Sequence, residues 1–180
     1  MKKVLCVMVM ILGLVCVCNV SYASEKKNDV FSDVETITNN VSNPFTLYIG
    51  ISKEEVKNNF AGAKDWKISM EGNHFIIFIK HDKKNGVTER LEVRIPEDEG
   101  MIYYALTCNS KNQKVLTELN KKAKAALTKK FGTGRSNDKV VNNKPAHWES
   151  YIWDSVDSND AQCGTMLTTT FTVFYGTEVI

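Results

Sequence analysis

The chain has 180 residues, 43% hydrophobic and 24% charged, with a formal net charge of +2 at pH 7. This length suits one domain large enough to bury a core without several crosslinks. The near balance of charge argues against a nucleic-acid binder, which needs a marked cationic excess to hold phosphates.

The first residues are MKK, followed by the apolar run VLCVMVMILGLVCVCNV and then SYAS. Charged, apolar and small residues in that order form a secretory signal peptide. Ser21 and Ala23 supply the small side chains that a signal peptidase accepts, which predicts cleavage after Ala23. The competing reading is a single N-terminal anchor, since no later segment is comparably apolar. Lipid attachment at Cys16 or Cys18 is disfavoured, because Val15 and Val17 precede them where a small residue is needed. The leader carries Lys2 and Lys3 and no acid, so the mature chain has 21 basic and 21 acidic residues. The expected destination is the periplasm or the cell exterior. Residues 1–23 thus read as signal peptide, 24–43 as a polar N-terminal segment, and 44–180 as a single α+β domain.

In residues 24–43, Val30, Val34, Ile37 and Val41 recur at helical intervals and predict a short amphipathic helix. Residues 45–49, FTLYI, read as a strand. Next comes a helix with the strongest local signal in the chain: Ser52 and Glu55 are spaced for a capping box, Ile51 and Val56 for a hydrophobic staple, and Gly62 for the stop. WKISM then places Trp66, Ile68 and Met70 on one strand face, and NHFIIFIKH reads as a central strand buried on both faces. Residues 82–86, DKKNG, form a turn with Asn85 and Gly86 suited to positive φ. The return strand VTERLEVRI alternates strictly, except that Glu89 interrupts its apolar face and is expected near the strand end.

PEDEG turns the chain into MIYYALTC. A long helix follows over residues 111–130, with Val115, Leu116, Leu119, Ala123, Ala126 and Leu127 in one stripe and Gly132 closing it. Residues 132–145 read as a long polar loop. The chain ends in strands around HWESYIW and MLTTTFTVFY, the latter with Leu167, Thr169, Phe171, Val173 and Tyr175 facing the core. The fold class is therefore α+β: a mainly antiparallel sheet with one long helix packed on a face and one or two short helices.

After cleavage only Cys108 and Cys163 remain, and in an oxidising compartment two such thiols are expected to pair. The bridge would contribute about 4 kcal/mol through the unfolded chain. A thiolate nucleophile or metal site has no CxxC or local hydrolase signature behind it.

WDSVDSNDAQC carries Asp154, Asp157 and Asp160 between two strands. Counted from Asp154, an EF-type calcium loop fails, because Asn159 stands where the glycine belongs and Thr165 where the glutamate belongs. A polar hairpin loop explains the composition. His74 and His81 fall on opposite strand faces. His147 and Glu149 share a face, but the cysteine pair of a zinc deaminase is missing. Ser136 and Lys139 have Ser-x-x-Lys spacing but no KTG strand, and no GxSxG elbow or phosphate loop is present. Glu97, Asp98 and Glu99 form a carboxylate cluster at a turn. No metal or cofactor is expected.

The long helix carries Lys111, Lys114, Lys121, Lys122, Lys124, Lys129 and Lys130 against one acid, Glu118. Most of these lysines fall opposite the leucine stripe and make a basic outer face on a neutral protein. A merely soluble face is the bland alternative. The segment GISKEEVKNNF resembles the helix opening of BamE-like envelope lipoproteins and β-lactamase-inhibitor-like modules, but the lipid-bearing cysteine is unmatched, so it implies no function and no site residue.

The leading expectation is a small exported, non-enzymatic binding protein of inhibitor or immunity type. Its partner would be a protein or an anionic envelope component. The candidate surface is Lys114, Lys121, Lys122, Lys124, Asp154, Asp157 and Asp160. A small envelope hydrolase and a small-ligand carrier are the alternatives.

Overall fold

In a computed structural model of the chain, residues 29–39, 47–97, 100–136, 140–141, 144–145 and 149–177 are described. The expected leader and its cleavage site, Val41, Phe45, Asp98, Glu99, Lys139 and His147 lie outside these residues. The chain runs through helices α1 (Val30–Asn39) and α2 (Lys53–Ala61), then strands β1 (Lys67–Gly72), β2 (Phe75–Asp82), β3 (Val87–Arg94) and β4 (Tyr103–Ser110). Helix α3 (Gln113–Phe131) follows, then β5 (Arg135–Ser136), β6 (Val140–Val141), β7 (Lys144–Pro145), β8 (Glu149–Trp153), β9 (Gln162–Leu167) and β10 (Phe171–Gly176).

Two antiparallel meanders meet where β10 pairs with β4, giving the order β1-β2-β3-β4-β10-β9-β8-β5, while β6 and β7 pair separately. The architecture is mixed α+β dominated by the sheet, with α3 lying against β4, β8, β9 and β10. No helix among the described residues is long and apolar enough to cross a membrane.

Alternation along the strands sets the core. Val87, Glu89, Leu91 and Val93 of β3 are buried while the residues between them are half-exposed, as a period of two requires. Their cross-strand partners on the same face are Asp82, Lys80, Phe78 and Ile76 of β2, and Ser110, Cys108, Leu106 and Tyr104 of β4. Helix α3 closes part of this face with Leu116, Leu119, Ala123 and Leu127, each leucine contributing on the order of 2 kcal/mol by leaving water. Helix α2 starts with the expected capping box between Ser52 and Glu55. Its Phe60 stacks on Phe78 at 4.1 Å and meets Trp66 edge-on at 6.0 Å. Gly62 ends α2 but does so with φ −87°, so no left-handed cap is formed.

Several expectations are corrected. Residues 47–50 form no strand: Gly50, with φ +91°, turns the chain, and its amide donates to the Met101 carbonyl at 2.8 Å. Gly100 packs so closely against that turn that a Cβ there would lie 2.3 Å from the Gly50 oxygen. In β1 the register shifts between Ile68 and Met70, so Ile68 pairs with Phe78 and Met70 with Ile77 on the opposite face. The bulge at Ser69 thereby breaks the common face read from WKISM, and Ile68 and Met70 are both exposed. β2 is an interior strand between β1 and β3, with Ile76, Ile77 and Phe78 buried on both faces as expected, but of the turn residues only Gly86 has positive φ. MLTTTFTVFY is not one strand: residues 168–170 turn between β9 and β10, with Thr170 N donating to Thr168 Oγ1 at 3.3 Å. The polar loop at 132–145 contains β5, which extends the sheet beside β8, and the β6–β7 pair.

The expected Cys108–Cys163 bridge is not formed; both thiols are free and buried. The pairing register gives the reason. Cys108 lies opposite Phe171 of β10, whereas Cys163 lies opposite Tyr175 of the same strand. Two strand spacings and a four-residue offset put their Cα atoms about 16 Å apart, far beyond the roughly 4.4–6.8 Å of a disulfide.

Candidate functional site

Helix α3 presents most of its lysines to solvent because the leucine stripe fixes its rotation. Lys114, Lys121, Lys122 and Lys129 are exposed and Lys124 is half-buried. The lysines do not form one uniform patch. Lys121, Lys124 and Lys129 border a groove of about 720 Å³ between α3 and the β8–β9 edge, with Asn120, Thr128 and Glu149 also lining it. Lys122 belongs to a second groove, about 1060 Å³, between α3 and α1, where Phe31, Glu35 and Asn39 stand opposite. Lys114 sits in the first turn, at the end of α3 distant from Lys129.

Two of these lysines are tied to aromatic neighbours. The Lys124 ammonium lies 3.3 Å from the Tyr151 ring centroid, and that of Lys122 lies 4.7 Å from Phe31. Asn120 is a polar residue within the buried stripe that the sequence reading missed. Its Nδ2 donates to Glu149 Oε2 at 2.9 Å, which holds that carboxylate at the groove wall.

The aspartates of the β8–β9 loop are engaged with their own surroundings. Arg135 donates through Nε and Nη2 to Asp154 at 2.8 and 3.2 Å, and this bond holds the Asp154 carboxyl below its ordinary value. Asp157 accepts from the amides of Asn159 and Ala161 at 2.9 and 3.2 Å and from the Tyr175 hydroxyl. Burial pushes the Asp157 carboxyl up, but the Tyr175 bond and the two amides outweigh it and the net shift is downward. Ser155 Oγ donates to Asp160, and both of these residues have positive φ, at 50° and 56°. The polar composition is thus spent on closing a hairpin. Among the described residues no group of three His, Cys, Asp or Glu side chains could hold a metal.

The cluster with the most perturbed chemistry lies elsewhere and was missed as a site. Lys80 of β2 is 2% exposed and donates to Asp33 of α1, with Glu89 Oε1 of β3 3.6 Å away. The Lys80 ammonium also lies 5.8 Å from the Trp66 ring centroid. Glu89 is not near a strand end as expected. It is the third residue of β3, fully buried, and neither of its carboxyl oxygens has a hydrogen-bond partner. Burial, and then the Asp33 charge, push the Glu89 carboxyl up to about 9. Burial pushes Lys80 down, but the bond to Asp33 and the charges of Glu89 and Asp33 raise it above its ordinary value. Beside them Cys108 is raised well above the usual thiol value, by burial and then by Glu89 and Asp33. Cys163 is pushed up to about 12, chiefly by burial, so neither thiol is a ready nucleophile.

One signal in the sequence pointed to this cluster. Glu89 interrupts the apolar face of β3, and the 82–86 turn brings Lys80 directly opposite it. Asp33 had no such signal, because α1 reaches the sheet only through tertiary packing. Compared with models of known protein families, with curated proteins and with solved structures, the chain matches none.

Proposed function

We propose that the chain is an exported binding protein that engages an acidic partner, a protein or an anionic envelope component, through the α3–β8 groove. The observation that carries the reading is the gathering of Lys121, Lys124 and Lys129 along one wall of that groove. Three ammonium groups against the single Glu149 carboxylate create a local positive field on an otherwise balanced protein, and a groove focuses such a field. Glu149, held at the groove wall by Asn120, supplies an acceptor for a hydrogen-bond donor of the partner. The cluster at Lys80 and Glu89 supports an enzyme less well, because α1 covers it and no substrate reaches it in this conformation. An inhibitor or immunity role fits the binding reading, since such a protein needs a rigid exported domain and a charged face rather than a catalytic centre.

The test is capture from an envelope fraction by the wild-type chain and by Lys121→Glu/Lys129→Glu. Lys122 and Lys124 are left intact because their ammonium groups pack on Phe31 and Tyr151. A stoichiometric acidic partner is expected, held about tenfold or more weakly by the variant and increasingly weakly as salt rises. Equal retention by both proteins removes the groove from the interface.

A further inference from the structure

We propose that α1 is a detachable cover over the Lys80–Glu89 pair, and that its release is coupled to the loss of one proton from Glu89. A helix of ten residues is marginal in water, so α1 persists through what it docks on. Its apolar contribution is Val30, Val34 and Ile37, which join the main core, and the partly buried Phe31; its remaining ties are polar. Asp33 accepts from Lys80, and Val30 N donates to Asp82 Oδ2 at 2.9 Å. At the rim, Lys84 lies 3.6 Å from Asp29, and Lys130 Nζ donates to the Asn39 carbonyl at 3.2 Å. Water can replace each of these polar contacts when α1 lifts.

What lies beneath sets the proton balance. Asp33 faces Glu89 from α1, Lys80 and Asp82 face it from β2, the Cys108 thiol faces it from β4, and Asp65 adds its charge to Lys80. With α1 docked, the Lys80 ammonium donates to Asp33 and stands 3.6 Å from Glu89 Oε1, so a second buried anion would have to share that one counter-ion. A proton on Glu89 removes that charge and provides a donor toward Asp33. Lifting α1 carries Asp33 into water and wets Glu89, which then ionises and takes Lys80 as its counter-ion. The docked state holds Asp33 carboxylate, Lys80 ammonium and Glu89 acid. The open state holds two carboxylates and one ammonium, with one proton delivered to water. Release is therefore favoured as pH rises, by up to about tenfold per pH unit between the ordinary carboxyl range and about 9. The uncovered surface offers an ion pair flanked by the Trp66 ring and the Cys108 thiol.

The experiment is amide hydrogen exchange of the full chain at pH 6, 7 and 8, corrected for intrinsic rates, with alkylation of Cys108 and Cys163 followed in parallel. Residues 30–39 are expected to open separately from β4 and β10, with an opening constant that rises with pH in the wild type and stays flat in Glu89→Gln. Cys108 is expected to become alkylated through the same opening while Cys163 stays protected. Exchange of α1 in step with β4 and β10, an unchanged pH slope in Glu89→Gln, or a common alkylation rate for both thiols overturns the proposal. Asp33→Asn gives a second reading that does not depend on Glu89→Gln folding. It should raise α1 opening at pH 6 by about tenfold or more, and an unaltered opening constant rejects the cover.

Discussion

Glu89 illustrates how one residue combines a stability cost with a conformational consequence. A carboxyl group buried at the third position of β3 is held neutral by its surroundings, and Lys80 is held charged by Asp33. Removing one member of such a group leaves an uncompensated buried charge. Lys80→Ala is therefore expected to cost about 3–5 kcal/mol in denaturant unfolding at neutral pH. Replacing all three together, as Asp33→Leu/Lys80→Met/Glu89→Leu, should cost little or increase stability, because the desolvation penalty disappears with the charges. The pH dependence follows from the direction of each shift. The Glu89 value is raised in the folded state, so its contribution is full below the ordinary carboxyl value and is lost as pH rises through about 9. Asp82 has the opposite sign: its value is lowered, despite burial, by the Asn85 side chain and the Val30, Asn85 and Lys84 amides, so its contribution is lost in acid. Of the three cluster members only Glu89 was read in the sequence as a charge on an apolar strand face. Asp33 was not, since a polar residue on a short polar helix looks solvated until its docking surface is known.

At the scale of elements, local signals were reliable where the chain satisfies its own backbone and unreliable where a neighbour does so. The Ser52–Glu55 box and the α3 stripe depend on residues within four positions of one another, and both occur as read. Asn112 belongs to the same class: its side chain accepts the Lys114 amide at 3.2 Å and starts α3 two residues later than the lysine run suggested. Asn112→Ala should lower unfolding stability by about 1 kcal/mol, while Glu118→Ala, on the exposed face of the same helix, should lower it by much less. The β1 bulge and the 168–170 turn went unread because isoleucine and threonine favour strands by propensity. Whether such a residue continues a strand or turns depends on where the partner strand ends.

At the scale of the whole molecule, the register of β4, β10 and β9 separates the two thiols that composition alone would join. The thermal midpoint of the purified chain is therefore expected to be the same with and without reductant, and mass analysis after native alkylation should find both thiols unoxidised. A reductant-dependent midpoint would require a different register. Conversely, oxidation of the unfolded chain to a Cys108–Cys163 crosslink should block refolding, since no native pairing brings the two within bonding distance. The same long-range assembly sorts the lysines of one helix between two grooves, so that Lys121 and Lys124 border one and Lys122 borders the other.

The sequence by itself determined the α+β class, the three helices among the described residues, the strict alternation of β3 and the hairpin character of the loop around Asp157. Each of these follows from spacing within a few residues, where helix and strand geometry act directly. The tertiary structure alone decided which strands neighbour one another, that the cysteines stay apart, and that Asp33 reaches Lys80 across 47 positions of chain. Such pairings depend on register and layer packing, and side chains distant in sequence carry no local mark of the neighbour they will meet.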